Sequence, residues 1–166
     1  DAVYIYLKNC YGKILGADDV RTEASPNVII FWTGRIPAKE GISLNELRDQ
    51  VCAEKEYMIN LRRDFHRHPE LSLQERRTAG VIEQELERFE ISHTRIGATG
   101  VLGILRGTQS GSGVVALRAD IDALPIQETN DVEYRSQTDG IMHACGHDAH
   151  TASLLGAAKV LSQNRD

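Results

Sequence analysis

The chain has 166 residues, a formal net charge of −5 and 41% hydrophobic residues, which is the size and composition of one globular domain. The acidic balance argues against a nucleic-acid-binding surface, and the longest uncharged runs, residues 24–34 and 107–117, are too short to cross a bilayer. The chain opens on Asp1 without a secretory leader, and its three cysteines form no disulfide framework. We therefore expect a cytoplasmic protein, and a piece of something longer.

Residues 1–42 differ in character from the rest of the chain. Two short runs there, residues 2–7 and 27–32, are rich in β-branched and aromatic residues and predict strands. Turn-forming residues lie between them, and no catalytic pattern occurs. We interpret residues 1–42 as an unassigned β-rich extension that precedes a domain at residues 43–166.

Two helices are predicted next. Ser43 and Glu46 match a capping box, in which each side chain bonds to the other residue's amide. Apolar residues then recur at helical spacing and predict one helix that ends before Pro69, because the residue before a proline avoids the α region. Ser72 and Glu75 match a second capping box and predict the start of another amphipathic helix.

Strands follow the two helices. Three apolar runs separated by glycine-rich turns predict strands: residues 91–96, 100–106 and 114–120. Residues 107–113 predict a hairpin loop, and the unbroken apolar run Val114-Val-Ala-Leu117 predicts burial on both faces of its strand. A final helix, residues 148–163, is apolar nearly all round. This order predicts an α/β fold with a mixed sheet flanked by helices.

The segment directly before the last helix concentrates metal-ligand side chains: His143, Cys145, His147, Asp148 and His150. Residues i and i+2 of an extended segment point the same way, so Cys145 and His147 could face one metal ion. Asp148, near the helix N-terminus, could hold the N–H of a ligand histidine. Such density before a helix favours a metal site, although a free cysteine is often only a small buried apolar side chain.

Two weaker clusters remain. Asp120 and Asp122 end the third predicted strand and share a face, where two carboxylates repel each other unless a cation is near. The alternative is a turn with a capping aspartate before Pro125. His66 and His68 are two residues apart on a helix and do not face one another, so we interpret them as structural.

Four segments of the chain carry a resemblance to a known family: LRRDFHRHPELSLQE (61–75), TGVLGILRG (99–107), VALRADIDALPIQE (115–128) and MHACGHDAHTASLLGAAKVL (142–161). In this order and spacing, residues 43–166 resemble the N-terminal part of the amidohydrolases that include hippurate hydrolase, N-acyl-amino-acid amidohydrolase and the plant indole-acetyl-amino-acid hydrolases. The resemblance implies a two-metal metallopeptidase that hydrolyses the amide bond of small N-acyl amino acids. It also implies a homo-oligomer.

The resemblance also implies roles for particular residues. Cys145 is similar to the family's bridging thiolate and His147 to a metal-ligand imidazole. Asp122 matches an aspartate that supports the metal site, and Asp120 stands where related deacetylases have a ligand histidine. The other matching residues of the motif are expected in supporting positions: His143, Asp148 and His150. A thiolate ligand favours Zn²⁺, and Mn²⁺ is the other ion expected for this family.

The family takes its general-base glutamate, a second glutamate ligand and two further histidines from segments that follow this helix, so we expect the base beyond Asp166. We therefore expect two divalent ions in the full-length protein, and no activity from this chain alone. Two alternatives stay open. One is a non-catalytic metal-binding or interaction protein derived from the fold, and the other is a hydrolase that uses the Cys145 thiol directly.

Overall fold

The computed structural model describes residues 6–7, 27–33, 42–108 and 113–165. Four helices lie in these ranges: α1 Leu44–Ala53, α2 Lys55–Arg67, α3 Arg76–Arg88 and α4 His147–Gln163. Five strands accompany them: β1 Tyr6–Leu7, β2 Asn27–Thr33, β3 Ser92–Ile96, β4 Gly100–Arg106 and β5 Val114–Asp120. The predicted α/β class and mixed sheet are confirmed. Apart from Tyr6–Leu7, the strand predicted at residues 2–7 lies outside the described residues.

The described strands form one sheet in the order β1-β5-β2-β4-β3. In this sheet β2 runs parallel to β4 and antiparallel to β5, so that Val28 lies opposite both Val101 and Ala119. The hairpin predicted at residues 107–113 is therefore wrong. β4 and β5 follow one another in the chain, but β2 occupies the position between them, and they do not pair with each other.

Strand β5 is less buried than its composition predicts. Val114 to Leu117 are all only partly buried, whereas Val101, Gly103 and Leu105 of β4 are buried. Val115 and Leu117 pack against the core, and α4 is the helix with extensive contact to β5. The prediction of a strand buried on both faces is wrong, because continuous apolar sequence does not by itself supply a second covering layer.

The core lies between the sheet and helices α2, α3 and α4. Its fully buried members include Phe65 of α2, Ile82 and Leu86 of α3, and Leu155 of α4. A Cβ at Gly156 of α4 would lie 2.4 Å from the Met58 sulfur of α2, so the Met58 side chain packs directly against α4 at this glycine and would have to shift for a larger residue. The helix that carries the metal-site motif is thus anchored directly to α2.

None of the helices in the described ranges is both long enough and apolar enough to span a membrane.

Helix α1 begins with the predicted capping box. The Ser43 amide donates to Glu46 Oε2 at 2.7 Å, and the Glu46 amide donates to Ser43 Oγ at 3.2 Å. The single helix predicted up to Pro69 is instead two helices, because the backbone at Glu54 leaves helical geometry at ψ 5°. This break lets both α1 and α2 contact α4.

The second predicted capping box is wrong. Helix α3 begins at Arg76, and the side chain of Glu70 caps it from outside the predicted motif. One oxygen of Glu70 accepts from the Arg77 amide at 3.0 Å, and the other accepts from the Thr78 amide at 2.8 Å. A carboxylate at this end also suits the helix dipole, so Glu70 makes a cap by Ser72 unnecessary.

Candidate metal centre

His147 and Asp122 form a directly bonded pair at the junction of sheet and helix. His147 is the first residue of α4, and Gly146 before it adopts φ 88°, a left-handed conformation that favours glycine. Nδ1 of His147 lies 2.9 Å from Asp122 Oδ1 and 3.0 Å from the Asp122 carbonyl oxygen. Both oxygens are acceptors, so Nδ1 carries a proton, and in the neutral ring Nε2 then keeps its lone pair. A carboxylate behind a histidine in this way is typical of metal ligands.

Cys145 lies in the turn just before this helix, and its thiol is free and exposed. No hydrogen bond links it to His147 in the described part of the chain. Within that part, no group of three or more His, Cys, Asp and Glu side chains is close enough to hold a metal ion. Cys145 and His147 therefore stay predicted ligands, and the described residues form at most part of a metal centre.

The general base is predicted to be a different residue from these candidate ligands. The family resemblance places the catalytic glutamate beyond Asp166, which is the last residue of the sequence. Asp166 itself lies outside the described residues, which extend to Arg165. The catalytic glutamate therefore stays a prediction about the segments beyond Asp166, and the site described here is one of candidate ligands and their supporting residues.

Asp120 at the end of β5 and Asp122, two residues beyond it, have different partners. Asp120 Oδ1 accepts from Arg118 Nη2 at 2.6 Å, whereas Asp122 accepts from His147. The Asp120 carbonyl also accepts from Thr151 Oγ1 at 3.1 Å, which ties α4 to the end of β5. Asp122, and not Asp120, therefore orients the predicted histidine ligand.

Asp148 does hold an imidazole, but it is that of His66 in α2. The buried Asp148 Oδ2 accepts from His66 Nδ1 at 2.6 Å and from Arg62 Nε at 2.8 Å. The sequence interpretation of His66 as merely structural overlooked this contact. Arg62 and His66 are four residues apart and border the apolar stripe of Leu61 and Phe65, a position from which burial could have been predicted.

Glu128, which the sequence analysis did not single out, binds the other nitrogen of the same imidazole. Its Oε1 lies 3.1 Å from His66 Nε2, and its Oε2 accepts from the Ser136 amide at 2.7 Å. Burial raises the pKa of Glu128, but the Ser136 and His66 hydrogen bonds outweigh this and hold the pKa below 4.5. Glu128 is therefore a buried carboxylate at neutral pH.

Near the bonded pair of His147 and Asp122, the side chain of His143 lacks hydrogen bonds within the described residues. It is 4% exposed, and neither ring nitrogen has a hydrogen-bond partner among the described residues. Burial lowers its pKa to about 4, against the raising influence of Asp148, so the ring is neutral at pH 7. Asp148 Oδ1 is also buried without a partner among those residues. Such unpartnered atoms are rare in folded proteins and are typical of places where a bound ion or water completes the structure.

His150 lies one turn along α4 from His147, and their ring centroids are 6.1 Å apart. The structure thus gathers most of the predicted motif at the N-terminal end of this helix, with Asp122 from the sheet. His150 is only partly buried, and no hydrogen bond of its ring is found within the described ranges. It stays a predicted supporting residue.

Glu75, at the N-cap of α3, gives a pH prediction. Burial raises its pKa above the usual 4.5, and the charge of Asp122 adds to this. Because the pKa of Glu75 is raised in the folded state, its contribution to the free energy of unfolding is fully present below about pH 4.5. This contribution is lost as the pH rises through the folded-state pKa. Glu75→Gln should therefore gain stability relative to the wild type between pH 4.5 and 7, measured by urea unfolding.

The control for this prediction is Glu70→Gln, since Glu70 is a carboxylate that accepts two amides. Glu70→Gln should lower the stability, because an amide oxygen caps a helix less well than a carboxylate. Parallel pH profiles for Glu75→Gln and the wild type would contradict the prediction.

Comparison with known proteins supports the resemblance. Residues 116–166 match the model of Peptidase family M20/M25/M40. The N-acyl-L-amino acid amidohydrolase of Geobacillus stearothermophilus is 50% identical over 122 residues, which cover 73% of this chain and 33% of the relative. The N-acetylcysteine deacetylase of Bacillus subtilis is 51% identical over 110 residues, covering 65% of this chain and 29% of the relative.

A solved structure agrees with these relatives. The YXEP protein of Bacillus subtilis, described as a dinuclear metal binding peptidase from the M20 family, superposes with a TM-score of 0.62 at 43% identity. The superposition covers 69% of this chain and 32% of that protein. The chain thus spans about a third of the length of the relatives it matches. Residues 116–166 thus match the model of Peptidase family M20/M25/M40, and the predicted resemblance of the chain to the N-terminal part of amidohydrolases in that family is confirmed.

Proposed function

We propose that the full-length protein hydrolyses the amide bond of small N-acyl amino acids with the help of two divalent metal ions. The names of the two enzyme relatives and the dinuclear description of the YXEP protein support this activity. The observation that carries it is the contact of 2.9 Å between His147 Nδ1 and Asp122 Oδ1, which leaves Nε2 available to a metal.

The chemistry of the residues present suits part of a metal site. In this proposal the Cys145 thiolate and His147 Nε2 are ligands, and Asp122 fixes the tautomer of His147. The unpartnered nitrogens of His143 and the unpartnered oxygen of Asp148 lie in the same region and support a missing polar occupant. A thiolate with an imidazole favours Zn²⁺, with Mn²⁺ as the alternative. When bound, the ions would polarise the scissile carbonyl and lower the pKa of a water molecule.

The proposal extends to the rest of the molecule. We assign residues 43–166 to the N-terminal half of the catalytic domain and residues 1–42 to an extension, of which β2 joins the sheet. The remaining ligands and the general base would come from beyond Asp166, in the part of the family's length that this chain does not span. A cytoplasmic location and a homo-oligomer complete the proposal, and both follow from the sequence expectations alone.

A metal titration of the full-length protein tests the ligands. Co²⁺ in place of Zn²⁺ gives an absorption band from thiolate ligation, so adding Co²⁺ to the wild type should produce that band. Cys145→Ala should abolish the band and His147→Ala should strongly weaken binding. Cys52→Ala is the matched control, because Cys52 is the other exposed thiol among the described residues and lies on α1. A band that survives Cys145→Ala, or is lost in Cys52→Ala, would contradict the assignment.

The thiol-hydrolase alternative has less support. A nucleophilic cysteine needs a base within hydrogen-bond reach, and Cys145 has no such partner among the described residues. The full-length enzyme distinguishes the alternatives: removal of metal by a chelator should abolish amide hydrolysis, and Zn²⁺ or Mn²⁺ should restore it. Activity that persists without metal would favour the thiol, and absence of any hydrolysis would favour the non-catalytic alternative.

A further inference from the structure

His66 of α2 connects three separate parts of the chain through one imidazole ring. Nδ1 lies 2.6 Å from Asp148 Oδ2 in the first turn of α4, and Nε2 lies 3.1 Å from Glu128 Oε1. Glu128 in turn accepts from the Ser136 amide and from Asn130 Nδ2. The ring therefore joins α2, the start of α4 and the loop that runs from Glu128 to Ser136.

The hydrogen bonds of His66 with Asp148 and Glu128 are buried. Burying such polar groups costs free energy of folding unless each of them has a hydrogen-bond partner. His66 is 3% exposed, and Asp148 and Glu128 are each 1% exposed. A buried carboxylate beside an apolar core needs donors, and Asp148 Oδ2 has two of them, His66 Nδ1 and Arg62 Nε. Removing one donor would leave the carboxylate free to turn or to draw in water, and the first turn of α4 would move with it.

The hydrogen on Nδ1 belongs to the bond with Asp148. Arg62 Nη2 also lies near Nδ1, but at 3.2 Å against 2.6 Å for Asp148 Oδ2. A carboxylate can only accept, so the shorter contact requires His66 to donate through Nδ1. Arg62 donates to the same oxygen through Nε, and it also stacks on the ring of Tyr134, 4.9 Å from its centroid.

The location of Asp148 connects this contact to the metal centre. Asp148 directly follows His147, whose imidazole must keep its bond to Asp122 while Nε2 faces the metal. We propose that His66 is a positioning residue for the metal centre: its Nδ1–H holds Asp148, and thereby holds the turn that presents Cys145 and His147. This inference rests on the proposed metal site. It gives a positioning role to His66, which the sequence pattern had indicated to be structural.

Two substitutions at the same position separate this role from a general structural one. In His66→Asn the side-chain amide lies near the place of Nδ1, so it keeps a donor towards Asp148 and loses the bond to Glu128. In His66→Gln the amide reaches the place of Nε2, so it keeps the bond to Glu128 and loses the one to Asp148. Both variants leave a smaller polar group in the same buried position, so similar losses of stability are expected.

The experiment is the Co²⁺ titration of the full-length protein, followed through the thiolate band, together with urea unfolding of each variant. His66→Asn should bind Co²⁺ within about threefold of the wild type, whereas His66→Gln should bind about tenfold more weakly, as expected when a supporting hydrogen bond is lost. Arg95→Gln is the control, because it removes an ion pair with Glu83 that joins β3 to α3. It should leave Co²⁺ binding unchanged.

Equal Co²⁺ affinities for the folded Asn and Gln variants would overturn the positioning role and leave the proposed ligands intact. A wild type without any thiolate band would overturn both proposals. If the His66 variants do not fold, Arg62→Gln provides the test, since Arg62 is the second donor to Asp148 and its side chain is only partly buried. It should weaken Co²⁺ binding in the same direction, and an unchanged affinity would then overturn the inference.

Discussion

Replacing Asp122 by alanine is expected to weaken divalent-metal binding by about 10- to 100-fold. Asp122 accepts the Nδ1 proton of His147 through its side chain at 2.9 Å, and the backbone carbonyl at 3.0 Å is then the acceptor that remains. The imidazole would lose its fixed orientation and part of its basicity, so Nε2 would become a poorer ligand. The measurement is a competition titration with Co²⁺ or Zn²⁺ against a chromogenic chelator.

Two related variants sharpen this prediction. Asp122→Asn keeps a neutral carbonyl acceptor for Nδ1 and should lose less affinity than the alanine variant. Asp120→Ala removes the neighbouring carboxylate, which bonds to Arg118 and not to His147, so its effect should be smaller than that of Asp122→Ala. If Asp120→Ala weakened metal binding more than Asp122→Ala, the assignment of the supporting carboxylate would be wrong.

Replacing Phe65 by alanine is expected to destabilise the fold by about 3–5 kcal/mol. Phe65 is 0% exposed and belongs to the core that α2 forms with α3, α4 and the sheet. The loss combines the lost burial of the ring with the cavity that it leaves. Since domains of this kind are stable by about 5–15 kcal/mol, the variant would lose a large share of its stability. Urea unfolding followed by circular dichroism measures the change.

Val51→Ala is the control for this prediction, because Val51 is 43% exposed on α1 and its truncation should cost less than about 0.5 kcal/mol. Similar losses in the two variants would show that α2 is not central to the core. Phe65 precedes His66, so the same helix supports both the core and Asp148. We therefore expect the alanine variant to lose metal affinity under conditions in which it is partly unfolded.

Sequence patterns predicted the elements whose interactions are local. The Ser43 and Glu46 capping box joins residues three positions apart, and the apolar composition that predicted α4 lies within one continuous segment. The motif with Cys145 and His147 was found in the same way, because its members are adjacent in the chain. One failure arose where a residue outside the predicted motif replaced the predicted partner: Glu70, seven and eight residues before the amides that it accepts, caps α3 in place of Ser72.

The sequence by itself therefore determined which segments are helical, most of the strands, the family resemblance and the segment that carries the candidate ligands. Only the tertiary structure decided that β2 separates β4 from β5, that Asp122 holds His147, and that Asp148 binds an imidazole 82 residues away in the chain. The physical reason is that local spacing fixes which residues share a face of one element. Which carboxylate meets which imidazole depends on how separate elements pack, and a linear pattern does not contain that packing.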